Sequence, residues 1–418
     1  MESLSIKRNT LVFLLSNFLV SVAYSLPHSI LTVILLAKGL SLSQILIIQS
    51  AYSIAIVLFE FPSGLLADNY SRKNLYSLSK LFLIIMFLIV LFSNQFYLIF
   101  AAWFCYGIAA ALDSGTLDAY IINQLKLAHH GAELRKFLAL SNRLEIVGLL
   151  LGSSLGGILY HFIGINIYVL GTVFLVVSTL ISFFFFKETT KSDSLQDSHV
   201  MILKKQITDS FKELRKQPRL SLILIFDFLT QIFFQTHFQL WQSFFLSKGI
   251  DSQYFPFFYI TFQVITLFSY SINIDGVKKY TGVLKFSPLI VFLPLTFFLG
   301  KIEIFLTAYF IFVFVFYVIE FILNYQFNKM VSVENISSLI SFKSTVSRIG
   351  SVLLLCILSF MVKQMSVSAV MAINFMLSLV LLVVFSVIIM KKTAVDSDVK
   401  QVYNIFTLVY VKLIAKKR

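Results

Sequence analysis

Twelve times along the chain an apolar run recurs that is about as long as a lipid bilayer is thick, and this repetition limits the possible folds more than any single residue does. A helix crosses the hydrocarbon core in about 20 residues. Runs of that order lie at 10–37, 42–67, 74–93, 96–123, 138–160, 164–186, 219–246, 253–273, 285–300, 302–325, 339–362 and 366–390. Lipid offers the backbone no hydrogen-bond partners, so segments of this length must satisfy their own N–H and C=O groups as helices. With 58% hydrophobic and 13% charged residues, the composition excludes a soluble globular domain. The expected fold class is therefore an all-α integral membrane protein with twelve transmembrane helices. Pro288 and Pro294 interrupt the ninth run, which is the least regular. The first is longer than a signal peptide's apolar stretch and lacks a small-residue cleavage site, so it is expected to stay in the mature protein.

The net charge of +14 could suggest nucleic acid, yet the basic residues sit between apolar runs rather than on a soluble basic face, so no nucleic-acid partner is expected. Of 34 lysines and arginines, only Lys38, Lys248, Lys301 and Lys363 fall in the loops that join odd runs to even ones. Cytoplasmic loops carry the excess of basic residues, which places both termini in the cytoplasm. Cys105 and Cys356 each stand alone in apolar sequence, so no disulfide, metal site or cofactor is expected.

The longest stretch that cannot span, 187–218, divides the runs six and six. This gives an amino-terminal bundle at 1–186, a linker at 187–218, a carboxy-terminal bundle at 219–392 and a basic tail at 393–418. In the linker Val200, Leu203, Ile207, Phe211 and Leu214 recur at helical spacing opposite Lys204, Lys205, Lys212 and Lys216, the pattern of an amphipathic helix lying on a leaflet. The tail, with Val402, Ile405, Phe406, Val409 and Leu413 ahead of Lys416, Lys417 and Arg418, can do the same. An internal repeat supports the division: LAKGLSLSQ at 36–44 returns as LSKGIDSQY at 246–254, and Asn17-Phe18-Leu19 as Asp227-Phe228-Leu229, both at an offset of 210. Arg143 corresponds to Arg348 at 205, and the Asp68 turn to the turn after Asp275 at 207. Drifting offsets are what duplicated halves with loop insertions leave behind, an arrangement used by transporters.

The segment Gly64-Leu-Leu-Ala-Asp68-Asn-Tyr-Ser71-Arg72-Lys73, between the second and third runs, resembles the G-x-L-A-D-x-x-G-R-K loop of the major facilitator superfamily. Gly64 permits close helix approach, Asp68 can accept charge-assisted hydrogen bonds, and Arg72 with Lys73 anchors the turn at an anionic leaflet. The resemblance implies that Gly64, Asp68, Arg72 and Lys73 form a conformational latch. Ser71 stands where the family prefers glycine. Gly148, Gly152, Ser153, Gly156 and Gly157 resemble the glycine-rich motif of proton-coupled exporters in this superfamily, and such spacing also serves helix packing. Against the exporter pattern, Trp103 occupies the position of a usual buried arginine. With EFPSGLLAD at 60–68 and SGTLDAY at 114–120, the whole chain looks like a bacterial branch of the superfamily close to the drug and proton antiporters. The resemblance implies two six-helix bundles in a bacterial cell membrane, working as a monomer by alternating access.

Charges within spanning helices are costly and point to function. Asp118 with Arg143, and Glu320 with Arg348, are expected to pair. That leaves Glu60, Asp113, Glu145 and Asp227 without an obvious cation, which makes them candidates for proton coupling; Asp113 leads and Asp227 follows. Asn17, His28, Gln231, Gln235, His237 and Trp241 are candidate substrate-cavity residues, and the aromatic run of the seventh segment is expected to form a cavity wall. The function expected is proton-coupled efflux of a small amphiphilic compound, the alternative being a proton-linked importer of a small polar nutrient. Partners are then a small molecule, protons and the bilayer. No enzyme is expected, since the external loops are too short for a catalytic constellation, and no phosphate-binding G-x-x-x-x-G-K-[ST] loop occurs.

Overall fold

The computed structural model describes residues 2–128, 130–188, 214, 217–271, 292–299, 301–331 and 336–392. These form thirteen α-helices and three short 3₁₀ turns. The first eight helices are α1 (Glu2–Ser25), α2 (Leu31–Ala37), α3 (Leu42–Asn69), α4 (Arg72–Phe92), α5 (Phe96–Asp113), α6 (Leu117–Leu127), α7 (Gly131–Ile163) and α8 (Ile167–Phe185). The remainder are α9 (Pro218–Ser247), α10 (Phe255–Tyr270), α11 (Ile302–Met330), α12 (Ile336–Gln364) and α13 (Val367–Lys392). Nine helical runs among the described residues are long and apolar enough to cross a membrane. Eleven of the twelve expected segments coincide with described helices; of the ninth, only the 3₁₀ turn Leu293–Phe298 and its flanks are described. Apart from Leu214, the linker's amphipathic pattern lies outside the described residues, as does the whole tail.

Two expected segments are broken. The first splits into α1 and α2 at a turn containing Pro27, which lacks the N–H that would continue the helix. The fourth splits into α5 and α6 at Ser114-Gly115-Thr116, where Gly115 has φ +72°. That left-handed conformation costs glycine little and most other residues more. Thr116 Oγ1 donates 2.8 Å to the carbonyl of Asp113, fixing the break one residue past that carboxylate.

The chain divides into two compact units, one of 1–199 with 251–260 and the other of 200–250 with 261–418. In the first, α1 packs on α7 and α8, while α5 packs on α3 and α4. In the second, α9 packs on α11, α12 and α13. Small residues allow the α1–α7 approach. A Cβ on Gly152 would stand 2.3 Å from the Val22 carbonyl oxygen, and one on Gly156 only 2.0 Å from that of Leu26. Serine hydroxyls add bonds across the seam: Ser29 Oγ donates 2.6 Å to the Ser153 carbonyl, and Ser25 Oγ reaches the Gly148 carbonyl at 3.3 Å. Ser16 on α1 sits 2.9 Å from Tyr76 OH on α4 and 2.6 Å from Ser178 Oγ on α8, a buried knot joining three helices.

The sequence repeat is realised as a repeated helix cap. Gly39 and Gly249 have φ +83° and +76°, and each ends its helix with the same two backbone bonds, Gly39 N–H to Leu36 O beside Leu40 N–H to Leu35 O, and Gly249 N–H to Leu246 O beside Ile250 N–H to Phe245 O. The lysine before each glycine then reaches a carbonyl at the far end of a neighbouring segment, Lys38 to Ser93 at 2.9 Å and Lys248 to Phe297. Partial burial holds both ammonium groups below lysine's usual pKa.

Candidate functional site

A cavity of about 420 Å³ opens within the first unit, among α1, α3, α4, α5, α6 and α7. Its wall includes Asn17, Tyr24, Tyr52, Tyr106, Asp113 and Glu145. Lys80, from α4, enters it and donates 2.7 Å to Asp113 Oδ1; its side chain is 3% exposed and that of Asp113 36%. Ser79 Oγ adds a longer bond to the same oxygen at 3.3 Å, and the Lys80 ammonium lies 4.2 Å from the Tyr76 ring centroid. So desolvated a lysine requires a counter-ion. The reading of Asp113 as a carboxylate without a cation is thereby corrected. Helical spacing along one segment cannot show a partner that arrives from another.

Asp118, in the first turn of α6, and Glu145, on α7, line the same cavity. Glu145 stands within electrostatic reach of Asp113 and Tyr24 and has no ion-pair partner among the described residues. The expected Asp118–Arg143 pair does not form: Arg143 points to an exposed position and Asp118 into the cavity. The helix amino terminus favours the Asp118 carboxylate in place of a basic side chain. Glu60 is exposed on α3.

In the second unit Asp227 on α9 is 8% exposed and meets Lys343 of α12 at 2.9 Å, while Ser347 Oγ donates 3.3 Å to its other oxygen. Lys343 also donates 2.5 Å to Asn324 Oδ1 on α11. Asp227 therefore has a cation as well, again from a distant segment. The electrostatic neighbours of Glu320 are Asp227 and Lys343 rather than the expected Arg348.

Of the other cavity candidates, Asn17 lines the cavity. His28 lies half-buried in the turn between α1 and α2, edge-on to Tyr24. Gln231 is half-buried on α9, and Gln235 donates 2.9 Å to Ser351 Oγ, tying α9 to α12. The expectation of an aromatic cavity wall on the seventh segment is corrected: Phe233, Phe234, Trp241, Phe244 and Phe245 are buried and only Phe238 is exposed. They stack with Phe312, Phe316, Phe375 and Tyr309 into the core of the unit. His237 is part of that core, 2.7 Å from Tyr309 OH and parallel to the Phe233 ring. Dense phenylalanine is equally a packing signal, because each ring buries a large apolar area. Lys80, which pairs with one of the cavity's three carboxylates, falls within the third apolar run, and nothing local to it in the sequence marks Asp113 as its partner.

The 64–73 motif spans the end of α3 and the start of α4, with the side chains of 64–69 outside the described set. Ser71, at φ −60° and ψ 122°, caps α4 by accepting the Asn74 N–H. An N-cap needs extended backbone and a side-chain oxygen, so serine suits this position better than glycine does. The Glu188 carboxylate completes the cap, accepting from Ser71 Oγ at 2.5 Å and the Arg72 N–H at 3.0 Å. Lys73 Nζ meanwhile donates 2.8 Å to the Phe183 carbonyl and lies over its ring. The end of α8 thus clasps the start of α4. Trp103 is buried and donates 2.9 Å to Gln49 Oε1, spending on structure the position where exporters carry arginine.

A multi-pass helical membrane protein built as two units, with charged groups buried inside each, is the form of a secondary transporter. The Major Facilitator Superfamily profile matches residues 13–327, and the chain belongs to that family. It is 26% identical over 227 residues to the uncharacterized MFS-type transporter YxaM of Bacillus subtilis, an alignment spanning 52% of this chain and 54%, about half, of that relative. In three dimensions it is similar to the nucleoside transporter NupG, with TM-score 0.68, 15% identity, and coverage of 91% of this chain and 99% of that one. It is also similar to a bacterial homolog of the human lysosomal transporter Spinster in its inward-facing, occupied form, with TM-score 0.66, 13% identity, and coverage of 98% and 97%. At such identities these likenesses show the fold.

Proposed function

We propose that the protein is a proton-coupled exporter of a small amphiphilic compound, of the drug and proton antiporter kind, and that the substrate enters the first unit's cavity. The observation that carries this reading is the cavity itself: three tyrosines and two asparagines offer apolar faces with polar edges, beside a lysine–aspartate pair and the carboxylate of Glu145. Groups of this kind both orient a ligand and exchange a proton with it. Glu145 and Asp113 are the coupling groups of the first unit, Asp227 that of the second. In this reading the protein sits in the bacterial cell membrane with both termini cytoplasmic, since basic residues crowd the loops on that side. Purified protein in liposomes with an imposed pH gradient, tested against a compound panel, should move an amphiphile against its own gradient. Absence of gradient-driven movement for every compound overturns proton-coupled export.

A second reading, a proton-linked importer of a small polar nutrient, draws on the polar lining of Asn17, Asn142 and Ser141 and on likeness to a nucleoside transporter. Nucleosides belong in the panel. Uptake in the direction of proton entry would favour this reading.

A further inference from the structure

A second groove, of about 260 Å³, lies among α1, α6 and α7 and shares Phe137 with the 420 Å³ cavity. Its floor is apolar: Leu14, Leu125 and Phe137 are buried side chains of the first unit's core. Its rim is open, with Leu11 68% and Leu140 45% exposed. Charge is confined to one end. On α1 the lining runs from Ile6 and Lys7 through Thr10 to Leu11 and Leu14, and on α7 from Glu133 and Lys136 through Phe137 to Leu140. From its first charged residue each stretch covers about seven residues, about 10 Å of helix. Two neighbouring helices thus show the same gradient, with their charged residues nearer their own amino-terminal ends and, Ile6 apart, aliphatic residues deeper.

Glu133 offsets only part of the two lysines' charge. Its carboxylate lies 3.0 Å from His130 Nδ1 and within electrostatic reach of Lys7 and Lys136, and neither lysine forms an ion pair among the described residues, so two ammonium groups face one carboxylate and the rim stays positive. Lys7 sits two residues inside the start of the first apolar helical span, Ser5–Ser25, at the level where a headgroup meets the acyl region. We propose that this groove binds one anionic phospholipid, its phosphate between Lys7 and Lys136 and an acyl chain laid along Leu11, Leu14 and Leu140. The common gradient of the two helices selects this occupant. A free anion has no use for the apolar residues that continue the groove beyond the lysines, and a zwitterionic lipid leaves the rim's positive charge unmatched. The chain's own tail, 393–418, is rich in lysine and would be repelled by the rim.

The test is binding to the intact, detergent-purified protein, read by native mass spectrometry and by thermal shift. Phosphatidylglycerol, phosphatidylcholine with the same chains, and soluble glycerol phosphate are titrated separately. Phosphatidylglycerol should be retained and should raise the melting temperature, with the other two much weaker. Lys7→Gln and Lys136→Gln should each weaken it about fivefold, as expected for loss of one basic group near a headgroup. Lys7→Arg/Lys136→Arg should keep it, and Leu140→Trp, which fills the groove with both charges intact, should abolish it in protein that still elutes as a single species. Equal binding of phosphatidylcholine, equal binding of glycerol phosphate, or undiminished binding by the double glutamine variant would each overturn the proposal.

Discussion

At Asp113 a carboxylate meets a lysine that is only 3% exposed, and that burial decides how the pair responds to substitution. Asp113→Ala should destabilise the first unit by up to about 3–5 kcal/mol, the cost of a buried charge left alone, reduced to the extent that the cavity admits water. Lys80→Met together with Asp113→Ala should recover much of the loss in a thermal unfolding assay; a double variant no more stable than the single one would show that the two charges are not coupled. Glu188→Ala removes an acceptor from the Ser71, Arg72 and Lys73 backbone turn. By analogy with lost helix caps it should cost about 0.5–2 kcal/mol, with Glu188→Gln milder, and hydrogen exchange should rise locally at the start of α4.

Among the elements, the seam between α1 and α7 is the most exacting. Gly156→Leu must push a side chain through a carbonyl 2.0 Å away, so the two helices have to separate. Folded yield should fall sharply, whereas Gly131→Ala, with nothing within 4 Å, should leave yield unchanged. Equal yields for the two variants would mean that the close approach is not needed for folding. The glycine spacing was visible in the sequence and its purpose was open; contact with the Leu26 and Val22 carbonyls makes it a packing device in this structure. The α5–α6 break was not legible. SGT reads as a small-residue turn, but apolar sequence continues on both sides, and only the left-handed Gly115 shows the chain changing course.

For the whole molecule, the expected consequences concern coupling. Glu145→Gln should abolish gradient-driven accumulation in proteoliposomes while sparing downhill exchange, because binding and alternation can continue without proton linkage. If Glu145→Gln, Asp113→Asn, Asp227→Asn and Glu60→Gln each still concentrate substrate as the parent does, coupling through these carboxylates is wrong. Asp68→Asn should slow turnover at matched expression without loss of inserted protein, as a latch at the end of α3 requires; parent-like turnover would remove Asp68 from the cycle.

The sequence by itself determined that the chain is a helical membrane protein, where eleven of its twelve expected segments lie, that short motifs repeat between its halves, and to which superfamily it belongs. These properties follow from local rules: lipid forces apolar stretches into helices, and the Lys38-Gly39 and Lys248-Gly249 caps are written within a few residues. What only the tertiary structure decided is which charges meet. Asp113 with Lys80 lie 33 residues apart and Asp227 with Lys343 116 apart, each on a different helix from its partner. Likewise the phenylalanines of α9 could serve as cavity wall or as core until their neighbours on α11 and α13 were placed. Periodicity reports which face of a helix is apolar, but helix rotation and packing choose what that face touches, and a buried charge is made tolerable by a partner that no local pattern records.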